Sequence, residues 1–258
     1  MGALFNAKGK NGLCILAEGD SWFHYPSITG VRNIITHLQK MGYNVKNMST
    51  CGHNLVDMVY GTIINRKHDY IGNQQIDQTL HQVDKLKPDI VLLSGGGNDV
   101  CGDELEGFIN HSKSGLPILR MQTLDYFIDN VLKTAYQDFF KRVKEVKPDV
   151  HFIIHGYAYP PCSGDGVGLD LKSFGFSGPW IKPAFSKNNW TNRQQNEAQM
   201  RIIIDKFNAM QLTLVNKHVH HIDLRNKVSM SDWVNELHLK DTPYKRVAQE
   251  FEKVIQSL

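Results

Sequence analysis

The run Leu13-Cys14-Ile15-Leu16-Ala17, followed by Glu18-Gly19-Asp20-Ser21-Trp22, decides the fold of this 258-residue chain. A short apolar run that ends at a charged residue is typical of a strand buried on both faces of a parallel sheet. The glycine allows a tight turn, so Ser21 is expected at the carboxyl end of the strand. Because ligands bind at that edge of open α/β sheets, Ser21 is the first candidate functional residue.

Four more short β-rich runs predict strands of the same kind. With Leu13–Ala17 as the first, they are Tyr43–Asn47, Ile90–Ser94, His151–His155 and Val219–Ile222. The stretches between them carry apolar residues every three or four positions, which indicates amphipathic helices. Strands that alternate with helices predict an α/β fold, a three-layer α/β/α sandwich around a five-stranded parallel sheet.

Capping signals predict the ends of three helices. Gly42 follows an apolar stripe and is expected just after the end of a helix. Thr191 and Gln194 resemble a capping box that opens a long helix. Thr242 and Pro243 are predicted as the N-cap and first residue of the last helix.

Composition and charge argue against several classes of protein. The formal net charge is +3 and the basic residues are spread along the chain, so we expect neither nucleic acid nor a membrane surface as a partner. No apolar run approaches the roughly 18–20 residues needed to span a bilayer. The beginning of the sequence lacks a signal-peptide pattern, which predicts a cytoplasmic protein.

The four cysteines, Cys14, Cys51, Cys101 and Cys162, form no CxxC pair. Free thiols are the expected state in a reducing compartment. A disulfide between Cys51 and Cys101 is the alternative, since both lie beside residues of the candidate site.

One segment breaks the alternation of strands and helices. Residues 156–190 are rich in glycine and aromatic residues, without periodicity, and directly follow the fourth strand. A loop of this length in a compact domain is usually functional, and the aromatic residues favour a folded flap. We therefore predict one domain spanning residues 1–258, with an insertion at about 156–190 that covers the active site.

Residues after later strands supply the parts that acyl transfer needs. Gly52 follows the second strand, and its backbone N–H can approach a substrate oxygen closely. Asn98 follows three glycines after the third strand and offers a side-chain NH2 group to an oxyanion. His238 precedes the final helix and offers a general base. Together with Ser21 these residues predict nucleophilic catalysis on a carbonyl.

At these positions the chain resembles the SGNH or GDSL hydrolases, a family of esterases, lipases and acetylhydrolases. The matching blocks are Gly19-Asp20-Ser21, Gly52, Gly96-Gly97-Asn98-Asp99 and the stretch that ends at His238, in that order. The resemblance implies a flavodoxin-like sheet, Ser21 as nucleophile and His238 as base. It implies an oxyanion hole made of the Ser21 and Gly52 N–H groups and the Asn98 side chain. Neither a cofactor nor a metal is implied, and the substrate would be a small acyl, sugar or lipid ester.

The chain departs from the family pattern at one position. The last block of the family reads Asp-x-x-His, whereas Asn235 stands three residues before His238 here. An amide oxygen can still accept the His Nδ1–H bond but cannot balance an imidazolium charge. Asn235 is the first choice for the orienting residue. Asp232, Glu236 and a main-chain carbonyl are the alternatives, so a Ser–His pair without a third side chain also stays open.

Other readings of the site compete with ester hydrolysis. The same residues would serve an acyltransferase, or the fold would be a binding protein whose catalysis decayed when the aspartate was lost. A metal held by His24, His53, His155 and Asp20 lacks the helical spacing of zinc hydrolases. Asp20 and Asp99 are expected to brace the site by accepting backbone N–H bonds. Cys51 is the alternative nucleophile.

Overall fold

A computed structural model of the chain describes residues 10–26, 29–61, 63–64, 70–72, 75–167 and 178–258. The strands among these residues are β1 (Ile15–Gly19), β2 (Val45–Asn47), β3 (Ile63–Ile64), β4 (Tyr70–Gly72), β5 (Ile90–Ser94), β6 (His151–His155) and β7 (Val219–Ile222). Five of them are parallel and form the main sheet in the order β2-β1-β5-β6-β7, and β3 and β4 form a separate antiparallel pair.

Helices cover both faces of this sheet. They are α1 (Ile34–Lys40), α2 (Leu55–Tyr60), α3 (Gln75–Leu86), α4 (Gly102–Glu106), α5 (Met121–Tyr126), α6 (Lys133–Val146), α7 (Lys182–Lys187), α8 (Arg193–Leu212) and α9 (Asp241–Gln256), with a π-helical segment, Phe127–Leu132, between α5 and α6. Helix α1 packs against α9, while α2, α3 and α6 pack together and α8 contacts the π-helical segment. The predicted three-layer α/β/α sandwich is confirmed.

The strand order places a switch point between β1 and β5. From β1 the chain moves outward to β2, then returns to the other side of β1 with β5 and continues outward through β6 and β7. The loops after β1 and β5 therefore diverge at the carboxyl edge and leave a crevice between them. Open α/β sheets bind their ligands in such a crevice. Ser21 and Asn98 lie on these two loops.

Two strand boundaries differ from the prediction. Strand β2 begins at Val45 rather than Tyr43, and β1 runs from Ile15 to Gly19 rather than from Leu13 to Ala17. The charge of Glu18 suggested a strand end, yet its side chain is fully buried. Thr79 Oγ1 donates to its carboxyl group at 2.6 Å and Gln75 Nε2 at 2.8 Å. A buried polar group is tolerated when it is hydrogen-bonded in this way.

Two helix starts were predicted wrongly. Asn192, not Thr191, caps α8, because its Oδ1 accepts the Gln195 N–H at 3.0 Å. Helix α9 has Lys240 as its N-cap and begins at Asp241, whose carboxylate binds Arg32, so Thr242 lies inside the first turn. The expected end of α1 is confirmed: Gly42 follows its last turn at φ +97°.

No helix among the described residues is long and apolar enough to cross a membrane. Cys14, Cys51, Cys101 and Cys162 are all free thiols, so the alternative of a Cys51–Cys101 disulfide is wrong.

Candidate active site

The turn that carries Ser21 depends on close approach between β1 and β5. Gly19 is paired with Ser94, and a Cβ at Gly19 would lie 2.6 Å from the Ser94 carbonyl oxygen. Only glycine fits at this contact. The chain then turns: the Asp20 N–H donates to the Ser94 carbonyl at 3.0 Å, and the Phe23 N–H donates to the Asp20 carbonyl at 3.1 Å. Ser21 is thereby held at the carboxyl edge of the sheet.

The structure brings Ser21, His238 and Asn235 together as the sequence predicted. His238 Nε2 lies 2.9 Å from Ser21 Oγ, and His238 Nδ1 lies 3.0 Å from Asn235 Oδ1. An amide oxygen is an acceptor only, so the hydrogen-bond network assigns the imidazole proton to Nδ1. Nε2 is then unprotonated and faces the serine hydroxyl. This arrangement can take the proton of Ser21.

Aromatic rings enclose the His238 imidazole. Tyr25 stacks on it with ring centroids 4.2 Å apart, and Trp180 meets it at 5.4 Å and 78°. Burial alone lowers the pKa of His238 to about 3, which keeps the ring neutral. Sequence reasoning missed both aromatic residues. Tyr25 lies four residues after Ser21 and Trp180 lies in the insertion, so proximity to the motifs was the available signal.

Asn235 is the side chain that binds Nδ1 of the His238 ring, whereas the two alternative orienting residues, Asp232 and Glu236, bind other groups. Asn235 Oδ1 also accepts the His238 N–H at 2.9 Å. Asp232 binds the Ser229 N–H at 2.7 Å and pairs with Arg246 at 2.7 Å. The Glu236 carboxylate accepts four backbone N–H groups of the insertion.

The two other predicted oxyanion donors flank the same crevice. Gly52 is exposed at φ +80°, and a Cβ there would meet no heavy atom within 4 Å. Asn98 Nδ2 donates to the His53 carbonyl at 2.9 Å. Because a carboxamide NH2 has two hydrogens, one remains for a substrate oxygen. Asn98 is therefore held in place by His53, the residue that follows Gly52.

Asp99 strengthens the link between these two loops. Its carboxylate accepts the Leu55 N–H at 2.7 Å and the Val56 N–H at 3.2 Å, both in the first turn of α2. Burial raises the pKa of Asp99 to about 6. The predicted bracing by Asp99 through backbone N–H bonds is confirmed.

Comparison with known proteins gives a fold but no close relative. No family model matches the sequence, and no curated protein matches it either. Similar solved structures include an extracellular lipase from Streptomyces rimosus, with a TM-score of 0.56, 13% identity, and 93% of this chain and 99% of that chain covered. A carbohydrate acetylesterase from Sinorhizobium meliloti has a TM-score of 0.51 and 12% identity, with 95% of this chain and 100% of that chain covered. The periplasmic domain of a Salmonella Paratyphi A lipopolysaccharide acetyltransferase has a TM-score of 0.52 and 15% identity, with 96% of this chain and 85% of that chain covered.

The chain has the SGNH/GDSL hydrolase fold. The match extends over 85–100% of the length of the three neighbours. The sequence blocks that suggested the resemblance all lie at one edge of the sheet. Identities of this size carry the fold alone, so the chemistry has to be argued from the residues at that edge.

Beneath Ser21 and His238 lies a second serine–histidine pair. His155 Nε2 is 2.9 Å from Ser94 Oγ, and His155 Nδ1 is 3.1 Å from the Gly156 carbonyl. The Ser94 hydroxyl is also 2.7 Å from Asp20 Oδ1, and Tyr157 donates to the other oxygen of Asp20. Burial lowers the pKa of His155 to about 4 and raises that of Asp20. This network, which sequence reasoning missed, supports the Ser21 turn from below.

Asp20 also braces the turn directly. Its Oδ1 accepts the Trp22 N–H at 2.9 Å, as the prediction of backbone bracing requires. The Trp22 indole N–H in turn donates to the Leu237 carbonyl at 3.0 Å. The Ser21 turn and the His238 loop are thus joined to each other by a hydrogen bond that involves neither Ser21 nor His238.

Two other sequence hypotheses lose support. The Cys51 side chain lies within hydrogen-bonding reach of Ser21, but burial raises the pKa of its thiol well above the usual range, so the nucleophilic thiolate is disfavoured. His24 Nδ1 binds the Ser49 carbonyl at 2.6 Å. Within the described part of the chain, no group of three or more His, Cys, Asp or Glu residues is arranged to hold a metal ion.

A small cavity of about 30 Å³ adjoins Ser21. Ser21 and Asn98 contribute polar groups to it, and its walls include Trp22, Tyr157 and Leu237. This volume exceeds the roughly 10–15 Å³ that a cavity needs to hold one water.

Proposed function

We propose that the protein is a serine hydrolase that cleaves carboxylic esters through an acyl-enzyme on Ser21. The observation that carries this proposal is the 2.9 Å contact between Ser21 Oγ and His238 Nε2, with Nδ1 held by Asn235 at 3.0 Å. A nucleophile, a base and a group that orients the base are the three parts of such a site.

The reaction proceeds in two steps. His238 Nε2 accepts the hydroxyl proton as Ser21 Oγ attacks the ester carbonyl carbon. The resulting imidazolium then protonates the leaving alcohol, and the C–O bond to that alcohol breaks. Water enters, loses a proton to His238 and attacks the acyl-enzyme, which releases the acid and restores Ser21.

The negative oxygen formed in each step needs donors that are already in position. The proposed donors are the Ser21 and Gly52 backbone N–H groups and the free hydrogen of Asn98 Nδ2. Support comes from the anchoring of Asn98 on the His53 carbonyl, which fixes the amide before the substrate arrives. Donors that need no rearrangement during the reaction stabilise a transition state most effectively.

Small apolar space beside Ser21 makes short-chain esters the first substrates to try. We propose measuring hydrolysis of p-nitrophenyl esters from acetate to palmitate, because the preferred chain length reports the depth of the acyl pocket. Esters of sugars and of lipids are the classes to test next. The solved neighbours include a lipase and a carbohydrate acetylesterase, which act on such esters.

A fluorophosphonate probe tests the nucleophile directly. It should label the native protein and the Ser94→Ala variant, but not the Ser21→Ala variant. Ser94 is the matched control because it faces a histidine at the same 2.9 Å distance. An unlabelled native protein would overturn the assignment and favour the decayed binding protein.

Acyl transfer is the second candidate, since one solved neighbour is an acetyltransferase domain. In that case an alcohol replaces water in the second step, and the residues keep their roles. Product analysis with and without a polyol acceptor separates the two reactions: an ester of the polyol would indicate transfer. We further propose a cytoplasmic location, which the four free thiols support.

A further inference from the structure

Glu236, on the loop that carries His238, is fully buried, and its carboxylate accepts four backbone N–H groups of the insertion. Its Oε1 accepts the N–H groups of Gly164 at 2.9 Å and Lys182 at 3.1 Å. Its Oε2 accepts those of Trp180 at 2.7 Å and Ile181 at 2.6 Å. We call these two stretches, Gly164 and residues 180–182, the anchors of the insertion.

Glu236 binds both anchors, and the Trp180 carbonyl of the second one also accepts the Gly102 N–H at 2.9 Å. Ile181 is the N-cap of α7, and its own side chain makes no capping bond, so Glu236 supplies the cap from another loop. The Glu236 N–H also donates to the Asp165 carbonyl at 3.3 Å, next to the first anchor. A buried donor that loses its acceptor is destabilising, so losing several would weaken the attachment of the insertion to the histidine loop.

The second anchor carries the Trp180 ring to the catalytic histidine. The indole meets the His238 imidazole at 5.4 Å between centroids and 78° between planes. Glu236 binds the backbone of Trp180 and not its ring, so the carboxylate sets where the ring lies. Trp180 is therefore the residue through which the hydrogen bonds of the Glu236 carboxylate reach the face of the His238 ring.

We propose that Glu236 is a positioning residue for the Ser21–His238 pair, because it holds Trp180 against the imidazole and keeps water from that side of the ring. This rests on the proposed function, in which His238 is the base. The consequence follows from solvation: an imidazole that water reaches is charged more easily than one in an apolar enclosure.

Burial alone holds the pKa of His238 to about 3, so exposure should raise it. The titratable groups around the pair are Tyr25 on the other ring face, Cys51 and Asp20 beside Ser21, and Glu236 itself. Burial raises the pKa of the Tyr25 hydroxyl and of the Cys51 thiol, which keeps both neutral near pH 7. Asp20 binds Trp22, Ser94 and Tyr157 and lies below Ser21.

The test uses the full chain and the pH profile of kcat/KM on p-nitrophenyl acetate. The native protein should keep its activity from pH 7.5 down to about 5. In Glu236→Gln, one carboxylate oxygen becomes an NH2 group that faces two backbone N–H donors. In Trp180→Ala, the carboxylate bonds stay and only the ring is lost. Both variants should lose activity between pH 6.5 and 5, by about tenfold at pH 5 if the pKa of His238 moves near 6.

Asp232→Asn is the matched control, since it makes the same change of acid to amide on the same loop without touching the insertion. It should keep the native profile. Native profiles in both Glu236→Gln and Trp180→Ala would overturn the proposal, as would a shift in Glu236→Gln alone or an equal shift in Asp232→Asn. If Glu236→Gln fails to fold, Trp180→Ala decides. A native protein without esterase activity or probe labelling would instead contradict the proposed function.

Discussion

Two serine–histidine pairs with nearly the same geometry lie one above the other in this protein. In the upper pair, His238 Nε2 is 2.9 Å from Ser21 Oγ and Nδ1 is 3.0 Å from an amide oxygen. In the lower pair, His155 Nε2 is 2.9 Å from Ser94 Oγ and Nδ1 is 3.1 Å from a carbonyl oxygen. Distances alone do not tell a nucleophile from a structural serine.

Access and surroundings separate the two pairs. Ser21 is 6% exposed and adjoins a cavity, whereas Ser94 and His155 are 0% exposed. Ser94 also binds Asp20, so its hydroxyl already has two partners. The proposed oxyanion donors, Gly52 and Asn98, lie on loops beside the upper pair. We therefore expect catalysis to depend on what surrounds a Ser–His contact as much as on the contact.

The largest expected effect is that of Ser21→Ala. Removing the nucleophile should lower kcat by about 10⁵-fold or more, because the other groups of the site cannot replace it. Steady-state hydrolysis of p-nitrophenyl acetate measures this. Retention of more than about one hundredth of native kcat would show that the upper pair is not the reactive one.

Asn235→Ala comes next. Removing the oxygen that orients His238 should cost about 10³–10⁴-fold in kcat, since loss of the equivalent group in serine triads costs about as much. The variant should still fold, which circular dichroism checks. A loss of kcat below tenfold would mean that Ser21 and His238 catalyse the reaction without a third side chain. Access would then be the main difference between the upper and the lower pair.

Asn98→Ala tests the donors that the lower pair lacks. Losing one oxyanion donor should reduce kcat by about 10²–10³-fold with a smaller change in KM. Both constants come from the same ester assay. Full activity in this variant would show that Asn98 is not an oxyanion donor, so this donor would not distinguish the upper pair from the lower one.

Asn235→Asp should have a small effect with a definite sign. A carboxylate at 3.0 Å from Nδ1 favours the imidazolium, so the pKa of His238 rises from its lowered value. The acid limb of kcat/KM should then move to higher pH, while activity at pH 7.5 stays the same or rises by up to about tenfold. A large loss at pH 7.5 would argue against Asn235 as the orienting residue.

The smallest effect on activity is expected for Ser94→Ala. Because Ser94 lies below the site, kcat should change by less than about tenfold. Stability should fall by about 1–3 kcal/mol, since His155 and Asp20 lose a buried partner. Urea unfolding gives the free energy. A loss of activity as large as that of Ser21→Ala would reverse the roles given to the two pairs.

The sequence predicted this site better than its surroundings. Ser21 and Asn98 follow buried strands, and His238 precedes a helix. Such positions can be recognised from the neighbouring sequence, without knowledge of the fold. The contacts of Tyr25, Trp180 and Glu236 join residues distant in sequence, so no local pattern reports them. The roles of Asp232 and Glu236, the two acids near His238, could not be predicted, because they depend on what each carboxylate binds in the folded chain.

Secondary structure shows the same limit. Three of the five predicted strands, Ile90–Ser94, His151–His155 and Val219–Ile222, have the predicted bounds. The bounds of helix α3 were not predicted, since its buried positions include the polar Thr79. Thr79 is buried because it binds Glu18, a contact that only the folded chain creates.

The bonds that Asn98 and Asp99 make to residues 53–56 join the loops after β2 and β5. The Asn98 side chain donates to the His53 carbonyl, and the Asp99 carboxylate accepts the Leu55 and Val56 N–H groups. The Thr50 N–H also donates to the Gly19 carbonyl at 2.9 Å, so the loop after β2 is joined to the Ser21 turn as well. We therefore expect a displacement of any one of these three loops to be transmitted to the other two.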